Sequence, residues 1–338
     1  MKLLNRHKDE TQNDSSERPL PDEAPEPQPE HEEPRLEDPG PTDLSKRDYL
    51  AIVKRGFKEF NEDHMTNIAA ALAYYAFLAI PAALLLAVGL FGLFAGPDAI
   101  NTVIDKLNGI VPAQATQLLE DSLKNLTNNR GTSITVLVVG GALALWSVTG
   151  AMQNVMWALN IAYDRDEGRG FVKRRLIALW MVVFALIGFM LAFGVLVLGP
   201  QLSTWIGDAS GAKTPVKIAW YVAEWPLLIC GLLLVFAAIM YYGPNVEHPR
   251  WQFLSFGAFF SLAVWLIASG AFAFYASRFG SYNKTWGSLA AVVVMLTWLW
   301  LSAVALLLGA EINSEAERSR ELRRGEPAEV ELQAPAKD

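Results

Sequence analysis

Cysteine, histidine and the short motifs of soluble enzymes are scarce in this chain of 338 residues. The single cysteine, Cys230, excludes an intrachain disulfide and a redox pair. The four histidines, His7, His31, His64 and His248, do not pair at metal-ligand spacing. The chain also has no GxxxxGK[ST], GxGxxG or GxSxG motif. The sequence signatures of a zinc site, a nucleotide site and a serine hydrolase are therefore missing, and we expect no metal, no cofactor and no enzymatic activity.

Six long apolar stretches contain almost no charged residues, and this scarcity predicts the fold class. The stretches are residues 68–95, 134–160, 176–199, 218–242, 253–277 and 286–310. Glu224 is the only Asp, Glu, Lys or Arg among them. Each is long enough to cross about 30 Å of hydrocarbon, which takes roughly 20 helical residues. Because lipid cannot satisfy open backbone groups, we predict an all-α integral membrane protein with six transmembrane helices.

Basic residues predict the orientation, because cytoplasmic loops are enriched in Lys and Arg. They precede the first stretch, fill the second connection and follow the last stretch: Lys46, Arg47, Lys54, Arg55, Lys58, Arg165, Arg169, Lys173, Arg174, Arg175, Arg318, Arg320, Arg323 and Arg324. Both ends are therefore expected in the cytoplasm. The N-terminus has no apolar segment of the signal-peptide type, so we expect the first span to act as an uncleaved anchor.

The chain divides into a membrane domain, residues 44–315, between two polar tails. Residues 1–45 hold 5 Lys and Arg against 13 Asp and Glu. We expect residues 1–43, rich in acid and proline, to be a disordered tail, solvated or binding a partner. Residues 316–338 form a charged cytoplasmic tail. Leu50, Val53, Phe57 and Phe60 predict an amphipathic helix before span 1, either on the membrane surface or as a plain cytoplasmic extension. Two more amphipathic helices are predicted in the first outer loop.

Polar groups inside the spans predict where a path or cavity would lie. Glu224 is a candidate lining residue, or it reaches the nearby interface. Ser147 and Asn154 share a helical stripe of small and polar residues in the second span, beside Gln153. This stripe favours close helix packing or the lining of a substrate path. Tyr74 and Tyr75 lie inside the first span, where at least one phenol needs a partner.

Two prolines and two polar segments complete the candidate residues. Pro81 and Pro226 are predicted to kink their helices. The inner interface is expected to hold polar residues that follow the second and last spans: Asn160, Asp164, Glu311 and Asn313. The outer turn between the last two spans is expected to hold aromatic, amide, basic and small residues: Tyr282, Asn283, Lys284, Gly287 and Ser288. This outer motif is either a tight turn or a contact that gates or binds lipid headgroups.

Several stretches resemble the YihY/BrkB family of bacterial inner-membrane proteins, long labelled ribonuclease BN. They are "AAALAYYAFLAIPAALLL", "ALWSVTGAMQNVMWALNIAYD", "YYGPNV" and "FAFYASRFGSYNKTWGSLAAVVVMLTWLWLSAVALLLGAEIN". The resemblance covers residues 47 to 315 and implies six spans, a bacterial inner-membrane location and a role in envelope integrity or transport. It supplies no catalytic residues.

Two functions fit these observations. The first is translocation of a solute, a lipid or another envelope component, with membrane lipids as surroundings. The second is a non-transporting scaffold that binds envelope proteins. Ribonuclease activity and nucleic-acid binding are not expected, because the basic residues border membrane ends instead of forming a groove with aromatic platforms.

Overall fold

The computed structural model describes residues 35–37, 39–40, 43–83, 130–247, 255–278 and 288–328, and these residues contain helices and no strand. The helices are α1 (Lys46–Glu62), α2 (Met65–Ala83), α3 (Arg130–Ala162), α4 (Phe171–Ser210), α5 (Lys213–Tyr242), α6 (Phe256–Arg278) and α7 (Ser288–Arg324). The all-α prediction is confirmed for this part of the chain. The predicted helices of the first outer loop, the outer turn up to Gly287 and the first 34 residues lie outside the described residues.

Five of these helices are long and apolar enough to cross a membrane: α2, α4, α5, α6 and α7. Helix α3 occupies the second predicted span, and its 33 residues make it about 50 Å long. It is not among the five, and it carries polar residues such as Gln153 and Asn154 in its second half. Several membrane-spanning helices are therefore supported, while the sixth crossing and the orientation of both ends stay predictions.

Helices α4 and α5 form a tight antiparallel pair with almost no loop. The third span was predicted to end at Gly199, but α4 continues through Pro200 to Ser210. The carbonyl of Pro200 accepts hydrogen bonds of 2.9 Å from the hydroxyls of Ser203 and Thr204, so that carbonyl is satisfied within the helix. Gly211, in the left-handed conformation with φ of 69°, ends the helix one residue later.

Helices α6 and α7 pack most closely, through small residues. A Cβ atom added to Gly309 would collide with Ser261 Oγ and the carbonyl of Gly257. The hydroxyl of Ser261 donates a hydrogen bond of 2.8 Å to the carbonyl of Ala305. Small side chains let membrane helices approach until such polar contacts form, and here they hold the last two spans together.

Helix α1 packs on the far end of α7, and this contact was not expected from the sequence. Ser45 and Asp48 form a capping box that starts the helix. Asp48, Ile52, Gly56 and Phe60 are the buried residues of α1. Gly56 leaves no room for a Cβ beside Ile312 of α7.

The buried face of α1 differs from the apolar face predicted for it. Phe60 belongs to both faces, whereas Leu50 is 73% exposed and Phe57 is 46% exposed. The reason is that α7 continues to Arg324, beyond the predicted span end at residue 310, and offers α1 a protein surface. The segment before α1 joins this contact, since Leu36 N donates a hydrogen bond of 3.0 Å to the carbonyl of Arg323.

Candidate functional site

A cavity of about 530 Å³ lies between α2, the second half of α3 and the start of α4. Four residues singled out in the sequence line it: Tyr75, Ser147, Gln153 and Asn154. The rest of its wall consists of Leu78, Trp146, Gly150, Ala151, Trp157, Glu167 and Arg174. The structure thus brings the polar stripe of α3 and one of the two membrane tyrosines to one place.

The α3 side of the cavity follows from helical periodicity. Ser147, Gly150, Asn154 and Trp157 recur at steps of three or four residues, so they share one face of the helix. A Cβ atom on Gly150 would meet no described residue within 4 Å, so the glycine leaves open space beside the cavity. Among the described helices, the small residues of this stripe therefore line a space at this position and do not form a close helix contact.

The amides of this face differ in how well they are satisfied. Asn154 Nδ2 donates to the carbonyl of Gly150 at 3.0 Å, within its own helix. Gln153 Oε1 accepts a hydrogen bond of 3.3 Å from Arg175 Nη1. Gln153 Nε2 is buried and has no acceptor among the described residues. The cavity wall therefore carries an unsatisfied amide donor.

Arg175 connects the start of α4 to α3 at the edge of the cavity. Its guanidinium carbon lies 3.7 Å from the centre of the Trp146 ring, a cation–π contact. Its Nη2 also donates to the carbonyl of Trp146 at 3.0 Å. Arg175 therefore holds Trp146 in place, and its charge is directed at protein groups.

Glu167, on the cavity wall, forms a buried ion pair with Arg169. Arg169 donates from Nε and Nη2 to the two carboxylate oxygens of Glu167, at 2.6 Å and 2.7 Å. Burial raises the pKa of Glu167, but the hydrogen bonds and charge of Arg169, with a bond from Asn160, bring that pKa below its ordinary value. Glu167 is thus a fully paired carboxylate at neutral pH.

Arg174 is the unpaired charge of the cavity. It lines the wall and makes no ion pair with any residue in the described ranges. Its Nε is buried without an acceptor in the described part of the chain. The carboxylate of Glu167 is engaged by Arg169, so Arg174 is the wall charge that no described ion pair compensates.

Other predicted residues lie elsewhere. Tyr74 packs against Tyr75 with ring centres 5.7 Å apart, but it is 55% exposed and does not line the cavity. Glu224 is half-buried on α5 and is not part of the wall. Pro226 lies inside α5, and Pro81 lies inside α2 close to its last described residue.

The inner-interface residues take part in a polar junction where several helices end. Asn160 Oδ1 accepts a hydrogen bond of 2.6 Å from Asn245 N, after α5. Asn313 Nδ2, on α7, donates to the phenol oxygen of Tyr163 at 2.6 Å. Arg169 Nη2 donates to the carbonyl of Gly243 at 2.8 Å. This junction links α3, α5 and α7 through side chains that are nearly all buried.

The carboxyl groups of Glu311 and Asp164 lie at the same end. Glu311 is only 2% exposed, and its Oε1 has no hydrogen-bond partner among the described residues. The charges nearest to it include those of Asp63 and Asp164, both negative. Asp164 itself is exposed and adopts a φ of 48°, the conformation that ends α3. Within the described ranges, no group of three or more His, Cys, Asp or Glu side chains could hold a metal ion.

Among the wall residues that sequence reasoning missed, four have aromatic or charged side chains. Trp146 and Trp157 flank the polar stripe of α3, and the same periodicity could have included them. Glu167 and Arg174 come from the connection after α3 and from the start of α4. No pattern within one helix could have placed these two beside the stripe, because the chain must first fold back on itself.

Comparison with known proteins agrees with a membrane protein. The sequence profile of the family described as Virulence factor BrkB matches residues 56–333. A ribonuclease-like protein of Bacillus subtilis (strain 168), YfkH, is 28% identical over 81% of this chain and 98% of its own length. A UPF0761 membrane protein of Haemophilus influenzae (strain 86-028NP) is 24% identical over 76% of this chain and 92% of its own length.

Some relatives are considerably longer. A UPF0761 membrane protein of Ralstonia nicotianae is 23% identical over 78% of this chain, which spans only 58% of that relative. No solved structure matches the chain.

Proposed function

Since this chain belongs to the family described as Virulence factor BrkB, we propose that it moves a solute, a lipid or another envelope component across the bacterial inner membrane. The observation that carries the proposal is the cavity of about 530 Å³ between α2, α3 and α4. Polar side chains such as Gln153 and Asn154 face this space from a helix expected to lie in the membrane. Polar groups inside a bilayer are costly, and they mark the paths of substrates and ions in other membrane proteins.

The cavity has the size and composition of a small-molecule site. Binding pockets of about 300–1,000 Å³ with mostly apolar walls and a few convergent polar groups are usual for ligands of moderate size. Here the apolar part of the wall includes Leu78, Trp146 and Trp157, and the polar part includes Asn154 and Arg174. A molecule with a polar head and an apolar body would match both.

The orientation is part of the proposal. The connection between α3 and α4 carries Arg165 and Arg169, and Lys173, Arg174 and Arg175 follow it in the first turns of α4. The Lys and Arg bias of cytoplasmic loops supports placing this connection in the cytoplasm, with both chain ends. The cavity would then face the inner leaflet.

Transport by the purified full-length chain in proteoliposomes tests the function. One arm follows a fluorescent phospholipid, and a parallel arm follows release of a trapped anionic fluorophore. We expect faster movement than in protein-free vesicles in at least one arm. Asn154→Leu is expected to lower that rate about fivefold, the effect of losing about 1 kcal/mol of polar contact in the path.

Asn61→Leu is the matched control. Asn61 Nδ2 donates to the carbonyl four residues earlier at 2.8 Å, as Asn154 Nδ2 does at 3.0 Å, but it lies exposed on α1. The control should transport at the wild-type rate. Protein-free rates in both arms would contradict the proposal, and so would equal losses in the two variants. Glu224→Gln in the same assay shows whether the path extends to α5.

A scaffold that organises envelope proteins is the alternative. Vesicles without transport, combined with capture of a stoichiometric envelope partner, would favour it. The proposal also includes the expectation that the chain does not cleave RNA, whatever the name of YfkH says of that relative. Incubation of the purified chain with labelled RNA tests this expectation.

A further inference from the structure

We infer that the cavity is a binding site for an anionic, phosphate-bearing headgroup, with Arg174 and Gln153 as its donors. The inference deepens the proposed function, because it names the chemistry of what the cavity accepts. It starts from charge. Arg169 engages both carboxylate oxygens of Glu167, so the one acid among the described wall residues is already paired. Arg174 has no such partner within the described part of the chain, which leaves one positive charge to be compensated.

The hydrogen-bond inventory points the same way. Gln153 Nε2 and Arg174 Nε are both buried donors without an acceptor among the described residues. Buried donors without acceptors are uncommon in folded proteins, because each loses its bonds to water and gains nothing. Both residues border the same cavity. A group with several acceptor oxygens could satisfy both donors if their side chains turn towards it.

The backbone of α4 adds to the positive potential. Arg174 is the fourth residue of this helix, whose first turn contains no acidic residue and whose N-cap, Gly170, makes no side-chain hydrogen bond. A helix N-terminus attracts anions through its free N–H groups and its dipole. Basic side chains at a helix N-terminus are unfavourable on their own. A bound anion would offset both the charge of Arg174 and the positive end of the α4 dipole.

The rest of the cavity indicates that the phosphate is attached to something larger. A volume of about 530 Å³ is in the range of pockets for molecules much larger than a free phosphate ion. Trp146 and Trp157 are 61% and 51% exposed at its edge, in positions that suit the glycerol and upper acyl region of a lipid. Phosphate gives Arg174 a bidentate partner, which a hydroxyl or a neutral amide does not.

Binding, measured without transport, tests the inference. The purified full-length chain is titrated with dioleoylphosphatidylglycerol in detergent, and bound lipid is counted by native mass spectrometry. Dioleoylglycerol, which has the same tails and no phosphate, forms the second arm. Inorganic phosphate and glycerol 3-phosphate, added as competitors, distinguish a lipid headgroup from a soluble phosphate. We expect the phospholipid to bind about tenfold more tightly than dioleoylglycerol, as one charge-assisted contact provides.

Variants separate this site from general attraction to a basic surface. Arg174→Gln is expected to weaken phospholipid binding about tenfold. Lys173→Gln, the same charge change at the exposed neighbouring position, should change it less than about twofold. Gln153→Glu keeps an acceptor for Arg175 and replaces the free donor with a negative charge, so it should weaken binding even where Arg174→Gln fails to fold.

Equal effects of Arg174→Gln and Lys173→Gln would overturn the inference, as would equal binding of the two lipids. If the phospholipid is preferred and soluble phosphate or glycerol 3-phosphate displaces it at similar concentrations, the phosphate site stands and its ligand is a soluble phosphate. Transport with no phosphate preference would leave the proposed function standing and remove the inference. Phosphate binding without transport would support the inference and contradict the proposed function.

Discussion

Asn313 and Tyr163 are joined by a hydrogen bond of 2.6 Å, from the amide nitrogen of one to the phenol oxygen of the other, across 150 positions of the chain. The bond connects α7 to the turn that ends α3, and both residues are buried. Burial, with the nearby charge of Glu317, raises the pKa of Tyr163 well above its ordinary value, so the phenol stays neutral.

Tyr163→Phe should therefore destabilise the protein. The variant keeps the ring and removes the acceptor, which leaves the Asn313 amide buried without this partner. A buried polar group that loses its partner costs about 1–3 kcal/mol. Thermal unfolding of the purified protein in detergent measures the change. Tyr74→Phe is the control, because Tyr74 is 55% exposed. Equal unfolding temperatures for all three proteins would contradict this role of the bond.

The Glu167–Arg169 pair should be strongly coupled. Arg169 has a fully buried side chain that also donates to the carbonyls of Tyr242 and Gly243. Removing one partner of a buried pair costs about 3–5 kcal/mol, because the other charge is left uncompensated. Arg169→Met and Glu167→Gln should each destabilise, and the double variant should lose less than their sum. Additive losses in the thermal unfolding of this double-mutant cycle would show that the two charges act independently.

The Glu167–Arg169 pair should also make the stability of the folded protein depend on pH. The pKa of Glu167 in the folded state is below its ordinary value, so its stabilising contribution is present above the unfolded value of about 4.3 and is lost as pH falls through the folded pKa. From pH 6 to pH 3, Glu167→Gln should therefore lose less stability than the wild type. Parallel unfolding curves for the two proteins over that range would contradict the assignment.

Asp63 should have the opposite pH dependence. Burial raises its pKa, and the charges of Asp164 and Glu62 raise it further. A raised folded pKa means that stability is higher below the unfolded value of about 3.9 and falls as pH rises through the folded pKa. Asp63→Asn should raise the unfolding temperature by about 1–2 °C at pH 8, and this gain should shrink towards pH 4. Glu247→Gln removes the same charge at an exposed position and should change little.

Gly309→Ala should disrupt the contact of the last two spans. The added Cβ has to displace Ser261 Oγ or the backbone of Gly257, and overpacking of this kind costs about 1–3 kcal/mol. Gly270→Ala, on α6, is the matched control, since a Cβ there meets nothing within 4 Å. A weaker wild-type peak in size-exclusion chromatography, with a lower unfolding temperature, is expected for the first variant. Identical behaviour of the two variants would show that this helix contact accommodates the added methyl group without cost.

The helices could be predicted from the sequence because each apolar run, coiled as a helix, is long enough to cross the hydrocarbon of a membrane. The sequence was also sufficient to place Ser147 and Asn154 on one face of α3, because helical periodicity is local. It was insufficient for Arg174, which reaches the cavity only after the chain turns at residues 163–170. It was insufficient for the buried face of α1 as well, since the partner of Gly56 is Ile312 at the other end of the chain.

The end of α4 shows a similar limit. The third apolar stretch was given as residues 176–199, and proline, which removes one backbone donor, follows it directly. The helix nevertheless continues to Ser210, and beyond the proline the hydroxyls of Ser203 and Thr204 donate to the carbonyl of Pro200 within the same helix. Residue types alone do not specify whether a helix continues past a proline.

The contact between α1 and α7 has a consequence for how the protein folds during its synthesis. Arg55 Nε donates to Glu315 Oε2 at 2.5 Å, and these residues are 260 positions apart. Translation at about 5–20 residues per second needs roughly 13–52 s to cover that interval. Helix α1 therefore leaves the ribosome long before its binding surface exists, with Ile52 and Phe60 unprotected. Its basic side chains and exposed apolar residues would let it wait on the lipid surface until α7 arrives. Helix α7 would then bury the apolar face of α1 once both are made.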